Sequence, residues 1–336
     1  MDGFRLDVAN FYFCDAQLRD NPSREPRNVG RPHTYQHHVY DRSRPETLDF
    51  MARLRAVTDE YDGRMMVAEV DSADPTGRSI EYTDGPTRLH TAYSFGFLHT
   101  DTLTPALIRS SLEGWHGHDA WPSWSFSNHD VARVASRFGG EDRPLRARML
   151  LALLLSLRGT PFLFEGEELG LPQSDVPFDR LRDPEAIRFY PDNLGRDGCR
   201  TPMPWEADAP FAGFSTSEPW LPVDARQTAL AVDRQQADPR STMQALRALL
   251  SFRKKHAALR TGSIEFWDAP GPVSAFLREK DGERIACLFN LGATDVVVED
   301  RRLAGGEDIT PTPMSGRLDG DRAVLGADAA LFVRLA

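Results

Sequence analysis

Three acidic residues stand where short apolar runs end: Asp7 in FRLDVAN, Glu69 in MMVAEVD and Asp130 in FSNHDVAR. Two carboxylates flanking a bond are what glycoside hydrolysis needs. One is ionised and attacks the sugar carbon or stabilises its positive charge; the other stays protonated near neutral pH and donates to the leaving oxygen. Burial and a neighbouring negative charge both raise the pKa of the second. Arg5 lies two residues before Asp7, so on a strand the two side chains point to the same side. A guanidinium there would hold Asp7 ionised and oriented, although a plain structural ion pair uses the same two residues. Each acid taken alone also fits a residue that begins a loop or caps a helix; the equivalent placement of three is what argues for shared chemistry.

Such residues act together only if the fold brings them together. Residues 1–256 alternate short apolar runs with amphipathic stretches. Strands are predicted at Gly3–Val8, Met65–Glu69, Ala92–Phe97, Trp124–Ser127 and Pro161–Phe164, and helices at Pro45–Tyr61, Thr104–Glu113, Pro144–Leu157 and Thr242–His256. In the last helix Leu246, Leu249, Leu250 and Arg253 recur at helical spacing. Strands alternating with helices imply parallel βα units, and in a parallel barrel the C-terminal strand ends face one shared site. The stretch 165–240, rich in Pro, Asp and Gly, is a long connection of the kind that usually carries function. After His256 the pattern changes to strands at Ile264–Trp267, Val273–Arg278, Ile285–Asn290, Asp295–Glu299 and Leu331–Leu335, with KDGE at 280–283 as a hairpin turn.

Composition limits the alternatives. The chain has 336 residues, enough for roughly two domains at about 150 residues each. Hydrophobic residues make up 40% and charged residues 27%, which supports a sizeable core. The net charge of -10 argues against a nucleic-acid partner, which would need a basic face. No apolar run is long enough to span a membrane, and MLLALLLSL at 149–157 reads as a buried helix. Cys14, Cys199 and Cys287 form neither a disulfide framework nor a zinc pattern; a reducing, cytoplasmic setting is expected.

The motifs DGFRLDVAN, MMVAEV, FSNHDVAR and GRDGCRTPMPW resemble those of glycoside hydrolase family 13, the α-amylase family. FYFCDAQLRDNP, YTDGPTRLHTAYSF and FEGEELGLPQ are similar to its α-glucosidase and oligo-1,6-glucosidase branch rather than to true amylases. The resemblance spans nearly the whole chain. It implies Asp7 as nucleophile forming a covalent glucosyl-enzyme, Glu69 as general acid/base, and Asp130 as the third carboxylate that grips sugar hydroxyls. It also implies His129 as a hydroxyl donor, Arg5 beside the nucleophile and Arg200 lining the pocket of the non-reducing sugar. The family retains configuration, so the Asp7 and Glu69 carboxyls are expected about 5–5.5 Å apart.

The implied fold is α/β: a (β/α)8 TIM barrel followed by a C-terminal antiparallel β-sandwich domain. Here it is a partial barrel, strands 4–8 with their helices over 1–258, and an all-β domain over 259–336. The chain begins inside what resembles the fourth barrel strand. The first three βα units, the early Asp/His motif and the inserted domain have no counterpart, and any family calcium site would lie in that part. The expectation is therefore a misassigned start or truncation of a longer α-glucosidase, inactive as this fragment, with unpaired edges at the strands starting at Gly3 and Pro161. No cofactor is expected within the chain, and the expected partner is a small oligosaccharide or α-glucoside. A glucosyl transferase or isomerase such as a trehalose synthase is the alternative within enzymes; a non-enzymatic amylase-like scaffold subunit is the alternative outside them.

Other residues point less far. Val8, directly after the nucleophile, goes with tolerance of α-1,6 bonds in the family, whereas NFYFCDAQLRDNP is more like enzymes that favour α-1,4 links. His33, His37 and His38 in PHTYQHHVYD lack the frame and carboxylate partner of a zinc site, and loop structure is expected of them. Glu165 in FEGEEL stands where relatives have Gln, and that segment is expected to be supporting structure. Cys14 is expected to be structural, Trp124 to fill the core, and Trp121 and Trp205 either to do so or to stack on sugars.

Overall fold

The computed structural model describes residues 1–25, 32–139 and 143–336, with the side chains of Pro32, His33 and Pro144 left aside, so the reading of His33 falls outside the described residues. Five short strands follow the predicted order: β1 (Gly3–Leu6), β2 (Met65–Glu69), β3 (Thr91–Tyr93), β4 (Ser123–Ser125) and β5 (Thr160–Phe162). β1, β2 and β3 pair in parallel, with Arg5 opposite Val67 and Glu69 opposite Tyr93. β4 and β5 form a second parallel pair. Side chains join the two sheets: Ser123 Oγ donates to the Ala92 carbonyl at 2.6 Å and the Tyr93 hydroxyl lies 2.9 Å from Ser125 Oγ. Among the described residues β2 is paired on both sides, whereas β1, β3, β4 and β5 each have one hydrogen-bonded neighbour.

Helices α1 (Pro45–Asp59), α2 (Pro75–Thr83), α3 (Pro105–Glu113), α4 (Val134–Arg137) and α5 (Pro144–Ser156) separate these strands. Proline sits in the first turn of α1, α2, α3 and α5, where its missing N–H costs nothing. Asp74 and Thr104 cap α2 and α3 by accepting from Gly77 N and Leu107 N at 2.9 and 3.1 Å. From Met149 to Leu155 α5 is apolar on every side and all seven residues are buried, as befits a helix enclosed in a core. The long connection after β5 holds α6 (Pro184–Phe189), α7 (Ala225–Thr228) and α8 (Val232–Ala237), all short. α9 (Thr242–Lys255) and α10 (Ala257–Thr261) follow.

The remaining chain is antiparallel β-structure: β6 (Ser263–Trp267), β7 (Val273–Lys280), β8 (Glu283–Asn290), β9 (Val296–Glu299), β10 (Glu307–Asp308), β11 (Gly316–Asp319), β12 (Arg322–Leu325) and β13 (Ala330–Arg334). One sheet runs β10-β13-β8-β7-β6 and the other β11-β12-β9. The KDGE turn joins β7 to β8 as predicted: Lys280 pairs with Glu283, and Asp281 and Gly282 take φ of 50° and 85°, the positive pair of a tight hairpin. The central strands are buried on both faces. Phe276, Ile285, Cys287, Phe289 and Phe332 enter the core built by α5, α9 and α10, while Ala275, Ala286, Leu288, Leu331 and Val333 enter a second core shared with β9 and β12. Among the described residues no helix is long and apolar enough to cross a membrane.

Candidate active site

The acids lie at the C-terminal ends of the parallel strands. Asp7 directly follows β1 and Glu69 is the last residue of β2. The two-residue period of β1 carries Arg5 to the same side as Asp7, and the Arg5 guanidinium holds both acids. One nitrogen pairs with Asp7 and the other reaches Glu69 Oε2 at 2.8 Å. Its carbon stands 5.9 Å from the centre of the Tyr93 ring, at the outer limit of a cation–π contact. Between the acids the backbone turns sharply: Val8 sits at φ 41°, ψ 42°, left-handed for a β-branched residue, a conformation that costs about 1–3 kcal/mol. The turn aims Val8 N–H at Glu69 Oε2, 3.3 Å away. Buried Asn10 ties the two strand-end loops together by donating to Ser43 Oγ at 3.0 Å and the Asp71 carbonyl at 2.7 Å.

The two carboxyls are driven in opposite directions. A hydrogen bond from Glu69, and then the Arg5 guanidinium, hold Asp7 below the usual carboxylate range. Burial, and then the hydrogen bond to Asp7, push Glu69 up, against the pull of Arg5. The exposed acid thus gives up its proton more readily than the buried one. Separated affinities of this kind assign acid and base within a carboxylate pair.

The third acid belongs to a second cluster. Asn128 Oδ1 accepts Asp130 N–H at 2.9 Å, and His129 Nε2 lies 3.2 Å from Asp130 Oδ2. Arg200 donates to Asp130 Oδ1 at 2.9 Å and to the His129 carbonyl at 2.7 Å. His129 also faces Asp7 and favours its charged form. The six residues named from the sequence thus fall into two clusters, Arg5, Asp7 and Glu69 in one and His129, Asp130 and Arg200 in the other, with the charge of His129 felt at Asp7.

Sequence reasoning did not name three further residues. Arg196 donates to Asp130 Oδ1 at 3.4 Å and to buried Asp183 at 2.8 Å; it stands in the same GRDGCR run as Arg200, which was the available signal. Tyr93 backs Arg5, and nothing in TAYSF marks it. Glu167 is buried in FEGEEL while Glu165 contributes its backbone carbonyl, to Arg133. Of the remaining candidates, Trp124 is buried as expected, Trp121 bonds Thr160 Oγ1 at 3.0 Å, and Trp205 and Cys14 are exposed. His38 pairs with Asp41 at 3.0 Å and His37 is exposed.

The family model described as the α-amylase catalytic domain matches residues 1–262. A probable α-glucosidase of Rhizobium meliloti (strain 1021) is 45% identical over 303 residues, covering 87% of this chain and 55% of that protein. Probable oligo-1,6-glucosidase 2 of Bacillus subtilis (strain 168) is 30% identical over 289 residues, covering 73% and 50%. The crystal structure of an α-glucosyl transfer enzyme, XgtA, matches with a TM-score of 0.93 at 42% identity, covering 100% of this chain and 64% of that one. This chain spans about half the length of the curated relatives it matches.

Proposed function

Because the chain belongs to the α-amylase family, we propose that it carries the acid–base machinery of a retaining α-glucosidase acting on terminal α-glucosidic bonds of short sugars. The observation that carries this reading is the Arg5-bridged pair whose proton affinities are pushed apart, Asp7 down and Glu69 up. Asp7 attacks the anomeric carbon as Glu69 donates its proton to the leaving oxygen, giving a covalent glucosyl ester. Glu69 then takes a proton from water, which cleaves the ester with net retention. An inverting pair would need room for a water between its carboxyls, about 6.5–9.5 Å; two carboxyls sharing a hydrogen bond favour the retaining alternative. Asp130 and His129, fixed by Arg200, bind hydroxyls of the same sugar.

The five parallel strands are read as strands 4–8 of an eight-stranded barrel over 1–258, with 259–336 as the all-β domain. The outer edges of β1 and β5 support this, because β3 and β4, also paired on one side only, are joined to each other through side chains; on this reading the chain by itself is inactive. Transfer of glucose to an alcohol other than water is the second reading, favoured by the likeness to XgtA. The test is treatment of the protein, expressed from its native locus, with 5-fluoro-α-glucosyl fluoride, followed by peptide mass spectrometry. A fluoroglucosyl adduct on Asp7 is expected; a turned-over reagent with the adduct elsewhere, or none, overturns the assignment. Product analysis on maltose then separates hydrolysis from transfer.

A further inference from the structure

Glu167 is a buried acid that the chemistry above leaves unused. Its Oε2 accepts Phe164 N–H at 3.2 Å, and the Ser127 hydroxyl faces the carboxyl and favours its charged form. Its Oε1 is buried and has no hydrogen-bond partner among the described residues; the same holds for Arg133 Nε. Both residues line one internal cavity of about 10 Å³, otherwise walled by apolar side chains such as Phe126, Leu150 and Leu171. That volume is about one water's worth of space.

The position of this pair in the chain gives it significance. Residues 127–133 carry His129 and Asp130, and both ends of the segment meet the chain that follows β5, through Glu167 facing Ser127 and through the hydrogen bonds of Arg133. At one end Ser127 Oγ accepts Val134 N–H at 2.7 Å and faces Glu167. At the other end Arg133 donates to the Glu165 carbonyl at 2.6 Å and to the Cys199 carbonyl at 2.9 Å, one residue before Arg200. Gly166 makes this approach possible: at φ +92° a Cβ there would stand 2.4 Å from Arg133 Nη1. Ser127 also reaches back towards the first cluster, because its carbonyl accepts Ser125 Oγ at 2.5 Å and Ser125 Oγ bonds the Tyr93 hydroxyl beneath Arg5.

We propose that Glu167 is a positioning residue that sets the placement of His129 and Asp130 through Ser127 and Arg133, without itself touching the sugar. The role in turnover rests on the glucosidase reading; the placement of the loop does not. Burial pushes the Glu167 carboxyl up to about 7, so a neutral side chain of the same shape should do the same work. The charged groups facing it are Arg133 and Glu168, with Arg137 of α4 and Tyr93 of β3 also within its field.

The experiment compares Glu167→Gln, Glu167→Leu and Ser127→Ala with wild type in the protein expressed from its native locus. The His129 ring resonance is followed by NMR, and kcat and KM on an aryl α-glucoside are followed by steady-state assay. Glu167→Leu should shift the His129 resonance and lower kcat/KM by about 10- to 100-fold, the cost of a small misplacement. Glu167→Gln should restore both to near wild type, which a role in packing alone would not separate from Leu. Ser127→Ala, which keeps the carboxyl in place, should shift the His129 resonance in the same direction as Leu. An unmoved resonance in folded Glu167→Leu or in Ser127→Ala overturns the inference, as does failure of Gln to rescue. A wild type that turns over no α-glucoside defeats the functional reading, while the His129 resonance still decides on positioning.

Discussion

Replacing Arg5 with methionine keeps the length of the side chain and removes the charge that Asp7 and Glu69 share. Two charge-assisted hydrogen bonds are lost. The bond to buried Glu69 is worth about 1.5–3 kcal/mol; the bond to Asp7, whose side chain is 68% exposed, is screened by solvent and worth about 0–1 kcal/mol. The sum, about 2–4 kcal/mol, converts to a fall of about 30- to 1,000-fold in kcat/KM if the arginine serves the transition state. The pH profile is the sharper readout. Arg5 holds Asp7 down, so without it the Asp7 carboxyl rises and the acid limb moves to higher pH. Arg5 also opposes the rise of Glu69, so the alkaline limb moves the same way. The whole bell should therefore shift upward in pH while its maximum falls. The assay is kcat/KM on an aryl α-glucoside against pH, in the protein expressed from its native locus. A profile that loses height with both limbs in place would refute the claim that Arg5 sets the protonation of this pair, and an unchanged height would refute its role altogether.

Two further outcomes concern stability and need no substrate. Arg278 is fully buried and donates to the carbonyls of Leu259, Gly262 and Ser263 at 3.1, 3.0 and 2.8 Å, and also to that of Ser156; Arg278→Met strands these acceptors and should cost about 2–5 kcal/mol in chemical denaturation, and an unchanged midpoint would contradict the accounting. Burial raises the Glu167 carboxyl from 4.5 to about 7, so the folded state binds that proton more tightly than the unfolded state does. Its contribution is fullest below about pH 4.5 and declines as pH rises to about 7, by up to about 3 kcal/mol. Urea midpoints across that window should show a decline in wild type that is smaller in Glu167→Gln; parallel curves would refute it.

The site was legible to different depths for physical reasons. Asp7, Glu69 and Asp130 follow runs that read as strands, and parallel strands bring their ends together however far apart they lie in sequence. Arg5 was legible because a two-residue period relates it to Asp7. Arg196, Tyr93 and Glu167 act on neighbours from other strands and loops, and such contacts leave no periodic trace. Among the elements, β7 and β8 were marked by short apolar runs on either side of an Asp-Gly turn. β10 has two exposed residues, and β11, GRLD, half-buries only alternate positions, so neither carries a run to detect. α2 has a glycine and two threonines in nine residues, PTGRSIEYT; it is stabilised by its Asp74 cap and by burial of Ile80 and Tyr82 rather than by propensity.

The alternation along β7, β8 and β13 also bears on modularity. Odd and even residues of the same strands serve two different cores, one of them built by the helices of the preceding region. A cut at residue 262 would leave α5 and α9 facing water across the footprint of Phe276, Phe289 and Phe332, and would expose one apolar face of the β-region. The two regions share a core and are therefore expected to melt together in a single calorimetric transition. A recombination event exchanging the β-region between relatives would have to carry matching partners for both faces, which makes this junction a poor site for domain shuffling.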